Sequence, residues 1–327
     1  MKRLLVYLLL LAAVPGAASV HPGAEEFTRR AVEEFGLKAT QVEAVLADAT
    51  YQQSIVDAIR RPAESKPWHE YRPIFLNERR IDGGIRFWRE HAELVDAVAE
   101  RFGVEPQIIV AIIGVETLYG RITGSYRVID ALATLGFYYP DELSRDRSAF
   151  FAGELIQFML LGQEEQLPLG EVRGSYAGAM GIGQFIPSSY RAYAVDFDGN
   201  GRRDLWQSLP DAVASVANYL HRHGWQPGEP VGEPAVARAG ADPALVASRN
   251  YKPAHTLEAL AHGGYSAAAP LEPDRLAAVL RLEEEDRHAY WLTFDNFYVI
   301  TRYNRSPLYA MAVLQLSEEI ARRMRRS

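Results

Sequence analysis

The run IIVAIIGVETLYG, residues 108–120, holds eight uncharged residues before its first carboxylate, Glu116. Pro106 ahead of it suits a first helical turn, and Gly120 is the expected C-cap. A helix that is apolar on every face belongs in a core. The segment therefore predicts a buried central helix. At 100° per residue, Ile109, Ile112 and Ile113 fall within about 60° of Glu116. A carboxyl group in that company loses hydration, which favours its neutral form. That is the state a general acid needs near neutral pH. A structural ion pair with Arg121, or a glutamate exposed past the core, also fits the position.

On both sides of this run, apolar residues recur at three- and four-residue spacing. The pattern predicts helices over residues 25–35, 40–49, 150–161, 188–193, 211–222 and 296–326. It predicts one further helix over 81–102, with Ile85, Trp88, His91, Leu94, Val95 and Val98 on one side. Lys66 to Pro73 breaks the pattern as an extended segment, because prolines and the residues before them avoid the helix. Between 226 and 292 the pattern changes. Short strand-like runs lie at 234–238, 276–282 and 289–293, although 276–282 also suits a helix. No internal repeat is present. The fold expected is mainly α, in the α+β class. A helical domain (21–105) precedes a second helical block (106–225). A small α+β insertion (226–293) and a helical return (294–327) follow.

The chain has 327 residues, 48% of them apolar and 24% charged, enough for a large core. Its net charge of −7 gives no support to nucleic-acid binding. The basic run Arg322-Arg323-Met324-Arg325-Arg326 reads as a solvated helix end near the favourable pole of the helix dipole. Lys2 and Arg3, an apolar run from Leu4 to Val14 and small residues from Gly16 to Ser19 form a secretory signal pattern, assigned to residues 1–20. The run is too short to span a bilayer. Removing Lys2 and Arg3 with it takes the charge from −7 to about −9. The chain contains no cysteine, so an exported form rests on its core rather than on disulfides.

Three further segments carry chemistry. Gly174 to Tyr190, GSYAGAMGIGQFIPSSY, is glycine-rich but has neither the phosphate-loop lysine nor dinucleotide spacing. Ser175 directly follows Gly174, so it is not a Gly-x-Ser-x-Gly nucleophile elbow either. Its glycines would let backbone approach a ligand, and Ser175 and Gln184 could hydrogen-bond sugar hydroxyls. Asp196-Phe-Asp-Gly-Asn-Gly-Arg-Arg-Asp204 matches the start of an EF-hand loop. It has oxygen side chains at positions 1, 3 and 5, a turn glycine at 6, and the Arg202 carbonyl at 7. Position 12 is Gln207 instead of glutamate, and the next carboxylate is Asp211. An Asx-rich surface turn is the alternative. Thr301 to Tyr309, TRYNRSPLY, is polar and aromatic. Tyrosine rings can stack on sugar faces, although most tyrosines simply fill core and surface.

Taken in order, GVETLYG, GSYAGAMGIGQFIPSSY, AVDFDGNGRRDLW, SVANYL and ITRYNRSPLYAMAV resemble the membrane-bound lytic transglycosylase B family of murein-degrading enzymes. HEYRPIF and GGIRFW also look like family segments, and the resemblance runs from about residue 24 to the C-terminus. It implies a lysozyme-like core within the helical block 106–225. It implies cleavage of the β-1,4 bond between N-acetylmuramic acid and N-acetylglucosamine without water, leaving 1,6-anhydromuramoyl ends. By motif, Glu116 serves as acid and then as base. Tyr71, Ser175, Gln184, Tyr219, Tyr303, Asn304 and Tyr309 would line the glycan groove, with Met180 and Phe185 packed beside it. Asp196, Asp198, Asn200, the Arg202 main chain and Asp211 would hold a structural calcium ion. The stretch from Trp206 to Asp211 is one residue longer than the family pattern.

No organic cofactor is implied. The partners implied are peptidoglycan glycan strands, with cell-wall synthesis enzymes as possible associates and a monomer as the working form. The family's lipid-modified cysteine is missing, so a soluble periplasmic enzyme is expected. Hydrolysis would need a second carboxylate within about 10 Å across the cleft. A lysozyme-type muramidase and a non-catalytic peptidoglycan scaffold are the competing functions.

Overall fold

The computed structural model describes residues 21–61 and 65–326; the signal-peptide assignment lies outside these. The first six helices are α1 (Ala24–Phe35), α2 (Ala39–Asp48), α3 (Gln53–Ile59), α4 (Trp68–Phe75), α5 (Glu78–Glu90) and α6 (Ala92–Phe102). They lead to α7 (Pro106–Thr117), the helix of the opening motif. Every residue of α7 from Ile108 to Val115 is buried, as a helix without a polar face must be. It packs against α5, α6, α11 (Leu209–Arg222) and α14 (Pro307–Met324). Between these lie β1 (Tyr126–Arg127), α8 (Val128–Phe137), α9 (Ser148–Glu165), β2 (Arg173–Gly174) and α10 (Pro187–Tyr193).

The strand-like runs form a separate sheet. Strands β3 (Gly232–Ala237), β4 (His255–Thr256), β5 (Tyr265–Ala267), β6 (Leu276–Glu283) and β7 (His288–Thr293) lie in the order β4-β6-β7-β3-β5. The sheet is antiparallel, with Leu280 opposite Trp291 and Ala235 opposite Tyr290. One face covers a small core of its own around Leu260, Tyr265, Val279 and Leu292, under α12 (Leu257–His262). Leu280 and Leu282 join the main core. Residues 276–282 are thus strand, decided by β-sheet partners on both sides. The chain returns through α13 (Asp295–Tyr303) and α14. The protein is predominantly helical with a small sheet. No helix among the described residues is long and apolar enough to cross a membrane.

Four expectations are corrected. Residues 66–73 are not extended: α4 begins at Trp68 and carries Pro73 inside it. Trp68 and Tyr71, three residues apart, are each 1% exposed, and that burial outweighs the proline's lost hydrogen bond. Residues 81–102 are two helices that break at His91, whose N–H bonds back to the Phe87 carbonyl. Residues 296–326 are also two helices. Ser306 caps the second by accepting from the Tyr309 N–H, and Pro307 occupies its first turn. Finally, α7 ends not at Gly120 but at Thr117, with Leu118 as the left-handed cap. Helices α3, α8 and α12 fall outside the predicted set. All eight residues from Val128 to Leu135 are buried, so α8 lacks the two-faced pattern that marks a surface helix.

Candidate active site

Glu116 sits in the last turn of α7, half-buried, where the apolar run meets a wall of tyrosines. The Tyr309 hydroxyl donates to Glu116 Oε1 at 2.6 Å. Tyr309 belongs to the first turn of α14, so the α7–α14 packing brings together residues 193 apart in the chain. Its ring stacks on Tyr303 at 6.5 Å and an interplanar angle of 4°. Tyr303 meets Tyr219 edge-on at 4.7 Å, and Phe185 sets its edge against both. Burial, with the charge of Glu116 beside them, pushes the Tyr303 and Tyr309 phenols well above their ordinary range, and Tyr71 on α4 adds to the shift at Tyr309. Burial pushes Tyr219 up to about 12. All three phenols therefore remain donors at physiological pH.

Those donors are committed to the protein. Tyr303 donates to the Gly183 carbonyl at 2.5 Å, and Tyr219 to the Arg302 carbonyl at 2.5 Å. Tyr303 thus ties the end of α13 to the glycine-rich segment, and Tyr219 ties it to α11. The same holds within residues 174–186. The Ser175 hydroxyl accepts from the Ala177 and Ala179 N–H groups at 3.3 and 3.0 Å. Gln184, in the left-handed region, donates to the Thr123 and Gly181 carbonyls at 3.1 and 3.0 Å. Met180 and Phe185 exchange both backbone hydrogen bonds at 2.9 Å. Met180 is fully buried and Tyr71 nearly so; both lie beneath the surface. Asn304 accepts from the Ser306 N–H at 3.0 Å, closing its own turn. A Cβ on Gly174 would lie 2.3 Å from the Ala179 carbonyl oxygen, and one on Gly181 2.5 Å from that of Leu205, so these glycines let backbone cross backbone.

Glu154 was not singled out from the sequence, although it is the one acid of the apolar stretch 150–161. It is 5% exposed and accepts from the Ser188 N–H at 2.9 Å and the Ser188 hydroxyl at 2.7 Å. It thereby caps α10, where the glycine-rich segment ends. Burial raises its carboxyl above the ordinary 4.5, against the pull of both Ser188 bonds. The native state then holds a proton that the unfolded chain has already released. Stability falls as pH rises from 4.5 through the higher native value. Glu154→Gln is expected to flatten that decline in melting temperature between about pH 4 and 7. Parallel curves for the two proteins would count against this assignment.

Among the described residues, one acidic group is arranged to hold a cation. Carboxylate oxygens of Asp196, Asp198 and Asp211 lie within 4.8 Å of one another. Asp196 accepts from the N–H groups of Gly199, Asn200 and Gly201 at 2.8, 3.1 and 2.8 Å, which curls the loop around its carboxylate. Asn200 accepts from the Arg202 N–H at 3.0 Å. Asp211 is fully buried and accepts from Phe197, Asp198 and Asp204. The oxygen-only donor set suits a hard cation such as calcium. The start of α11 places Asp211 with the two loop aspartates.

The sequence matches the family described as Transglycosylase SLT domain over residues 19–318. It is 39% identical over 311 residues to membrane-bound lytic murein transglycosylase B of Escherichia coli (strain K12), covering 92% of this chain and 83% of that protein. The soluble lytic transglycosylase SltB1 from Pseudomonas aeruginosa superposes with a TM-score of 0.83 at 46% identity, covering 94% of this chain and 100% of that one. The Escherichia coli lytic transglycosylase Slt35, solved in complex with calcium, gives a TM-score of 0.81 at 38% identity, covering 93% and 94%.

Proposed function

The chain belongs to the Transglycosylase SLT domain family and is a lytic murein transglycosylase with a lysozyme-like core; from that premise we propose how its residues act and on what. The substrate is the glycan strand of peptidoglycan, cut between N-acetylmuramic acid and N-acetylglucosamine. Glu116 is the single acid and base. Protonated, it gives its proton to the glycosidic oxygen as positive charge builds on the muramic acid ring. Ionised, it takes the proton of the 6-hydroxyl that closes onto the anomeric carbon. The observation that carries this reading is the Tyr309 hydroxyl on Glu116 Oε1 at the end of the apolar helix. That bond fixes the carboxyl where the apolar helix meets the tyrosines. The locked tyrosines and the glycine-rich segment keep the groove rigid, so little ordering is left to binding.

Mass spectrometry of digested peptidoglycan tests this. Muropeptides ending in 1,6-anhydromuramic acid are expected, whereas reducing muramic acid ends would make the enzyme a hydrolase. In the same reading, calcium is held by Asp196, Asp198, Asn200, the Arg202 main chain and Asp211. Support comes from the converging carboxylates and from the calcium complex of Slt35. The ion takes no part in the reaction; it staples α10 to α11. The work is done in the periplasm, where the substrate lies.

A further inference from the structure

The GGIRFW segment and the end of the opening motif meet around Tyr119. Its ring occupies a slot floored by three glycines, two on α5 and one on α7. A Cβ on Gly83 would lie 2.8 Å from Tyr119 Cε2. On Gly84 and Gly114 a Cβ would lie 2.6 and 2.5 Å from the Tyr119 hydroxyl. That hydroxyl donates to the Arg80 carbonyl at 2.7 Å, and Phe87 covers the ring at 5.5 Å. Arg80 reaches back across the same junction. Its Nε donates to the Gly114 carbonyl at 2.8 Å and its Nη1 to the Ile74 carbonyl at 2.5 Å. Its guanidinium lies over Phe75, and it makes no ion pair among the described residues. A half-buried arginine spent on backbone carbonyls at a helix C-terminus fixes that end, where cations are favoured.

What it fixes is strained. Directly after Thr117 come three left-handed residues, Leu118, Tyr119 and Gly120, with φ of 51°, 62° and 78°. Two of them carry side chains, and such a turn persists only where the surroundings hold it. Thr117 holds the inner side: its hydroxyl donates to the Ile182 carbonyl at 2.8 Å and accepts from the Gly120 N–H at 2.9 Å. Tyr119 and Arg80 hold the outer side. Glu116 stands between these anchors and the apolar body of α7, so the direction of its carboxyl depends on that last turn staying wound.

We propose that Tyr119, seated on Gly83, Gly84 and Gly114 and tied to Arg80, is a positioning residue for Glu116. This inference rests on Glu116 being the acid. Burial keeps the Tyr119 phenol protonated as a donor, in keeping with that role. The ring itself does not touch substrate.

The test uses Tyr119→Phe, which keeps the ring in its slot, and Arg80→Lys, which replaces the planar two-nitrogen fork with a single ammonium. Initial rates of muropeptide release, per folded enzyme, are taken over a range of peptidoglycan concentrations. Each variant is expected to lower kcat about tenfold with KM unchanged, because a small misalignment of the acid weakens the chemical step and spares binding. The double variant should fall no further than the weaker single one, as members of one device do. A lower melting temperature with kcat within about twofold of wild type would make the contact purely structural and overturn the proposal. Glu116→Gln, run alongside, separates the two ideas. If it is inactive while both variants keep full kcat, only the positioning role falls; if it is active, the acid assignment falls and this inference with it.

Discussion

Glu116→Gln should leave a folded protein that binds peptidoglycan and does not cut it. Glutamine matches glutamate in shape, and its amide oxygen can still accept from Tyr309, so the groove is kept. It has no proton to give the glycosidic oxygen and no basic oxygen to take the 6-hydroxyl proton. A positioned acid–base group contributes about 10²- to 10⁴-fold in rate. With one carboxyl serving both half-steps, as proposed, a loss at the upper end, about 10⁴-fold, is expected. Release of soluble muropeptides measures the rate, and sedimentation with insoluble peptidoglycan measures binding. Retention of more than about a tenth of the wild-type rate would assign the chemistry elsewhere. Unchanged binding with lost cleavage also removes the non-catalytic scaffold, whose role would survive the substitution.

The second large effect concerns stability. Calcium is expected to raise the melting temperature and a chelator to lower it. A ligand that binds only the native state stabilises by RT ln(1 + [L]/Kd), about 2.7 kcal/mol at a hundred times Kd. Two substitutions separate the ion from the loop. Asp198 is exposed, so Asp198→Ala should abolish the calcium response and shift the chelated protein little. Asp211 is fully buried and takes three backbone N–H groups. Asp211→Ala should therefore lower the melting temperature in chelator as well, since each buried donor left unpaired costs about 1–3 kcal/mol. A calcium response that survives Asp198→Ala would remove the loop as the binding site.

Two glutamates show how far the sequence could be read. Glu116 and Glu154 are each the one acid of an apolar stretch, 108–118 and 150–161, and a helical wheel treats them alike. The difference lies in their partners. Glu154 meets the N–H and hydroxyl of Ser188 at a helix start and becomes a cap. Glu116 meets a phenol from the far end of the chain. The family motifs singled out Glu116, and periodicity alone could not. Asp211 is a similar case. Counting EF-hand positions stops at Gln207, and only the turn into α11 brings Asp211 beside Asp196 and Asp198. Tyr219, Tyr303 and Tyr309 were legible as a set, but not the partners of their hydroxyls, which the structure commits to Arg302, Gly183 and Glu116.

The burial of α7 was written in the chain itself, because eight successive apolar residues leave a helix no face for water. So was the mainly helical character of the protein, because three- and four-residue spacing is a local property of the chain. Tertiary structure decided what spacing cannot express. It made a helix of 68–75 through the burial of Trp68 and Tyr71, against the preference of Pro73. It broke 81–102 at His91 and made a strand of 276–283 by giving it neighbours on both sides. It also seated Tyr119 on Gly83 and Gly84 of GGIRFW and on Gly114. Periodicity records which side of an element avoids water. It carries no information on which distant carbonyl, ring or hydroxyl will stand there, and on that depends what Glu116 can do.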